Sequence, residues 1–119
     1  MVIVTQPHDV PTAAELVEAV REWLSRDVVP ATDGRLQFHA RVAANVLSMV
    51  ERELELGPGQ AIAHARRLAE LGVADDAELA AAIRRREFDG RDGELRMLLR
   101  ESVEDKLRVA NPKYLDPPR

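Results

Sequence analysis

The chain has 119 residues, 45% of them apolar, with 17 basic and 21 acidic side chains, a net charge of −4 and no cysteine. A chain of this size supports one core and one domain, and the missing thiols exclude disulfides, thiolate metal sites, iron–sulfur clusters and a cysteine nucleophile. No apolar run reaches the roughly 20 residues of a membrane-spanning helix, the first residues lack the pattern of a secretion signal, and neither half is a polycation. A cytoplasmic protein that binds neither membrane nor nucleic acid is expected.

Glycine and proline, costly inside helices by about 1 and about 3 kcal/mol, avoid five windows rich in Ala, Leu, Glu and Arg: 12–29, 35–56, 60–71, 73–89 and 94–111. All five read as helices. The first opens on Thr12 with Glu15 three residues later, the spacing of a capping box. Leu16, Val20, Trp23 and Leu24 form its apolar face, and Pro30 is expected to end it.

In the second window Leu36, His39, Ala40, Ala43, Val46, Leu47, Val50 and Leu54 form a broad apolar arc, widened by Phe38, Val42 and Met49. An arc covering more than half of the circumference predicts contact from several sides, which places this helix at the centre of the fold. Gly57 has the character of a left-handed cap and Pro58 cannot donate to a continuing helix, so a chain reversal is expected there.

The third window carries a thin stripe of Ala61, Ile62, Ala65, Leu68 and Ala69, and Gly72 closes it. Asp75 or Asp76 caps the fourth, with Leu79, Ala82, Ile83 and Phe88 facing inward. The fifth has a stripe of Leu95, Leu98, Leu99, Val103, Leu107 and Ala110, ended by Pro112. Leu47 and Leu99 stand at the centres of the two strongest stripes. The expected fold is all-α: a compact up-and-down bundle of about five helices with a central second helix. One helical domain spans 1–119, with an extended tail at 1–11, where Val2–Val4 is the one strand-like segment, and a second tail at 112–119.

Three stretches resemble a known family: residues 11–24 (PTAAELVEAVREWL), 34–45 (GRLQFHARVAAN) with 50–54 (VEREL), and 105–115 (DKLRVANPKYL). They are similar to an uncharacterised bacterial family of small helical domains, found beside or attached to aminoglycoside-phosphotransferase-like kinases and acyl-CoA dehydrogenases. The resemblance implies a kinase of that type as partner. It implies no reaction and no catalytic residue.

The chemistry-bearing residues are sparse. His8, His39 and His64 occur outside any metal-ligand spacing, so no metal or other cofactor is expected. Ser25, Ser48 and Ser102 sit inside predicted helices and outside a nucleophile elbow, and no catalytic residue is assigned. Glu51, Glu53 and Glu55 diverge around their helix, and Arg84, Arg85 and Arg86 have Glu87, Asp89 and Asp92 at hand to neutralise them.

A candidate ligand or partner surface remains, formed by His39, Asn45, Lys106, Arg108, Asn111 and Tyr114. His39 falls in the apolar arc, where an imidazole needs partners for both nitrogens. Asn45 lies beside Phe38 and Met49. Tyr114 and Leu115 are apolar anchors beyond the last helix and are expected to fold back on the bundle, with Lys106, Arg108 and Asn111 as rim. The leading reading is a non-enzymatic accessory module that positions or regulates the phosphotransferase-like kinase. Two others stand beside it: a small-ligand-binding protein or unusual enzyme with a pocket near His39, Asn45 and Lys106–Tyr114, and a self-assembling module that forms a homodimer.

Overall fold

The computed structural model describes residues 10–116, and among these the chain is helical with no strand. The strand-like segment expected at Val2–Val4 lies outside the described residues. The chain divides into two compact units, the first ending at Glu55 and the second beginning at Leu56.

Helix α1 spans Ala13–Trp23 and opens with the expected capping box. Thr12 Oγ1 accepts from the Glu15 amide at 3.1 Å, and Glu15 Oε1 accepts from the Thr12 amide at 3.3 Å. The helix does not stop at Pro30. It widens into a π turn at Leu24–Val28, where the Val29 amide reaches the Leu24 carbonyl, and closes with a last α turn at Val29–Ala31. Pro30 stands in the first turn of that closing segment. The Gln37 side chain then donates to the Val29 and Thr32 carbonyls at 2.9 and 2.8 Å, adding to the Thr32 amide that the Val29 carbonyl accepts at 3.4 Å.

Helix α2 spans Gly34–Glu70 with Pro58 inside it. The second and third windows are therefore one helix, and the described residues form four principal helices where five were expected. The reversal expected at Gly57 is absent because proline removes one donor only, leaving the Leu54 carbonyl without its i+4 partner. Gly57 and Gly59 have no Cβ to crowd the ring. Among the glycines, positive φ appears instead at Gly34, Gly72 and Gly90. Gly72 closes α2 as expected: its amide donates to the Ala69 carbonyl and the Val73 amide to that of Leu68, both at 3.0 Å, the pairing of a Schellman motif.

Helix α3 spans Asp76–Arg84 and is capped by Asp75, whose side chain accepts from the Glu78 amide at 2.8 Å. Helix α4 spans Asp92–Ala110, followed by a 3₁₀ turn at Pro112–Leu115.

In the first unit Arg21 of α1 pairs with Glu51 of α2. Ala40 is buried there, whereas Leu36, Phe38, Val42, Val46 and Leu54 are exposed, as are Leu16, Val20 and Trp23 of α1. In the second unit Leu68 of α2, Leu71 just after it, Leu79 and Ala82 of α3, Phe88 in the turn before α4 and Leu98 of α4 form a buried cluster, with Val73 and Leu95 against it. The centre of the α4 stripe is thus Leu98. Leu99, expected there, is 40% exposed, and Leu47 is half-buried.

Candidate ligand-binding site

Helices α2 and α4 of the second unit meet through polar side chains one turn apart. Gln60 Nε2 donates to the Asp105 carbonyl at 2.8 Å. One turn further along α2, His64 Nδ1 lies 3.3 Å from Ser102 Oγ, one turn back on α4. These two levels fix an antiparallel register. Beyond them Arg67 Nη2 donates to Asp105 Oδ2 at 2.8 Å, and Arg67 Nη1 stands 3.8 Å from Glu101. The guanidinium is largely enclosed, and its Nε is buried without a hydrogen-bond partner.

Asp76 at the start of α3 supplies the third side, its Oδ1 lying 2.9 Å from His64 Nε2. An Nε2–H donated to this carboxylate leaves Nδ1 as an acceptor for the Ser102 hydroxyl. Ser102 Oγ also lies 3.1 Å from the Leu98 carbonyl, and its one hydrogen serves either that carbonyl or His64 Nδ1 at a time.

Asp76, His64 and Ser102 thus form a hydrogen-bonded chain drawn from three helices. It has the order of a nucleophile triad without the rest of one. Ser102 sits in the interior of α4, where the neighbouring amides are spent on the helix, so no backbone donor pair faces a developing oxyanion.

These groups line an open cavity of about 600 Å³ together with Gly57, Ala61, Leu99, Val103 and Lys106. Its volume falls within the range of about 300–1,000 Å³ usual for small-molecule sites. Among the described residues, no group of three or more His, Asp and Glu side chains is arranged to hold a metal ion.

Of the six residues singled out from the sequence, Lys106 lines this cavity. Arg108 lies just outside it, with Nη1 3.1 Å from Asp105 Oδ1. Asn111 caps α4, its amide donating to the Leu107 carbonyl at 2.8 Å. Tyr114 does not fold back: it is 75% exposed, and Leu115 is 36% exposed. The 3₁₀ turn explains this, because the Tyr114 amide is held by the Asn111 carbonyl at 3.0 Å, which fixes the backbone while leaving the ring outside.

His39 and Asn45 are exposed on the first-unit part of α2. His39 Nε2 accepts from Arg35 at 3.4 Å, and its ring meets Phe38 edge-on at 5.5 Å. The basic run is neutralised as its neighbours suggested, by Arg85 with Glu87 at 3.2 Å and Arg86 with Asp89 at 3.0 Å.

His64, Asp76, Ser102 and Gln60 were not assigned to a site from the sequence. Their faint signal is a matched spacing, Gln60 to His64 and Ser102 to Lys106, each one turn apart. It acquires meaning once the two helices are known to run antiparallel.

These observations define the class as an all-helical protein with a small-molecule-sized cavity in its second unit. The chain belongs to the family described as a domain of unknown function (DUF6285), whose model matches residues 30–114. The match takes in α2, α3 and α4 and leaves α1 outside. No curated protein and no solved structure matches the chain.

Proposed function

We propose that this chain is a non-enzymatic, cytoplasmic accessory module that docks on a larger bacterial protein through the apolar band of its first unit. The observation that carries the reading is the exposure of large side chains at helical spacing. Leu16, Val20 and Trp23 share one face of α1, and Trp23 is 56% exposed. Phe38, Val42 and Val46 form a second exposed line on α2. Exposed apolar surface of this kind marks an interaction site, and a tryptophan within it is the residue type that most often anchors one.

Glu15, Glu18 and Glu22 stand along the same helix, so the fitting partner surface is an apolar groove edged by basic residues. The phosphotransferase-like kinase implied by the sequence resemblance is the partner proposed. On this reading the broad arc of α2 packs against that kinase, and the up-and-down bundle with a central second helix is completed in the complex.

The test is titration calorimetry of the purified kinase with the parental chain and with a Trp23→Ser, Phe38→Ser double variant, beside light scattering over a dilution series. A kinase affinity that falls at least about a hundredfold, two hot-spot contributions, with the melting temperature unchanged, is the expected result. A double variant that binds as the parent does sinks the reading. So does a parental dimer that the double variant dissolves, which would assign the band to a second copy of the chain.

A further inference from the structure

We infer that the second unit binds a small monocarboxylate with an apolar body in the cavity between α2 and α4. The inference rests on which polar groups there are already spent. His64 is held between Asp76 and Ser102, and Arg67 is held by Asp105 and Glu101. Lys106 lines the same cavity and has no ionic partner among the described residues.

Gln60 adds a second donor at the same level. One hydrogen of its Nε2 goes to the carbonyl of Asp105, the residue next to Lys106. An amide nitrogen carries two, so the other remains for a ligand. An ammonium and an amide N–H lining one cavity form a fitting head-group clamp for a carboxylate.

The remaining wall determines the rest of the ligand. Leu99 and Val103 of α4 line the cavity and stay 40% and 55% exposed. Apolar surface left open inside a concavity is what an apolar ligand body covers. The charge of the head group follows from the carboxylates of Asp76 and Asp105, which face the same space. They match Arg67 and Lys106 in number, so the Lys, Arg and Asp charges of the lining cancel. A single negative charge is accommodated by Lys106, whereas a phosphate dianion adds a second charge that meets those carboxylates.

The test uses the full-length chain labelled with ¹⁵N and three probes of equal tail length: octanoate, octan-1-ol and octyl phosphate. Octanoate is expected to shift the amides of Gln60, Ser102 and Lys106 and to bind about tenfold or more tighter than the alcohol. The Lys106→Met variant, which keeps a long apolar stem, should lose that advantage while binding the alcohol as before. Its amide spectrum reports directly that it is folded. The inference is overturned by equal affinity for acid and alcohol, by tighter binding of octyl phosphate, by octanoate affinity that survives Lys106→Met, by shifts confined to residues before Leu56, or by no binding of octanoate.

Discussion

Leu98 and Leu99 are neighbours in α4 with opposite environments: Leu98 is buried in the cluster with Leu68, Leu79 and Phe88, while Leu99 faces the open cavity. Replacing Leu98 by Ala should cost about 2–5 kcal/mol, the range for emptying a packed site. Leu99→Ala should cost less than about 1 kcal/mol, because much of that side chain already meets water. Urea unfolding of the two variants checks this, and equal losses would show that the α4 register is wrong.

That contrast also shows what the sequence could disclose. Local signals were legible where local chemistry determines structure: Thr12 with Glu15, Asp75 before α3 and Gly72 after α2 all cap as their spacing implies. The period of the apolar residues located the stripe of α4 without locating its centre, because Leu95, Leu98 and Leu99 fit a helical stripe equally well and only the partner helices decide among them. The cavity depended on convergence of His64, Asp76 and Ser102 from three helices, which no local pattern encodes. The first-unit arc from Leu36 to Leu54 reads as central because amphipathicity reports that a face is apolar, not what covers it.

At the middle of α2, Pro58 lies within the helix and cannot donate to the Leu54 carbonyl. Pro58→Ala restores that donor and removes the ring, so stability should rise by about 1 kcal/mol, less than the full helix-interior cost of about 3 kcal/mol because glycines flank the site. Thermal unfolding followed by circular dichroism is the measurement. A melting temperature that falls would mean that Pro58 presets a turn and that two helices meet there.

The Arg91–Glu94 pair gives a pH signature of known sign. Its hydrogen bond from Arg91 holds the Glu94 carboxyl below the usual carboxylate range, and the same bond raises the Arg91 guanidinium above its ordinary value. A carboxyl lowered in the folded state stabilises above its unfolded value and loses that contribution as pH falls through the folded one. Parental protein should therefore melt above Glu94→Gln near neutrality, and the difference should vanish at acid pH. The pair is solvent-exposed, so the difference should be small and should shrink further in salt. A gap that widens on acidification would refute the assignment.

The end of the chain supplies the last expectation. Folding back of Tyr114 would bury apolar surface, and deleting the residues from Lys113 onward would then lower the melting temperature by about 4 °C for each 1 kcal/mol lost. The structure shows a ring that is 75% exposed on a 3₁₀ turn held through its backbone. Little apolar contact is lost when that turn is removed, and Asn111, which caps α4 through its own amide, is retained. The truncated chain should therefore melt within about 2 °C of the parent, a loss below about 0.5 kcal/mol. Differential scanning calorimetry decides the matter, and a drop of several degrees would mean that Tyr114 and Leu115 pack on the second unit in solution.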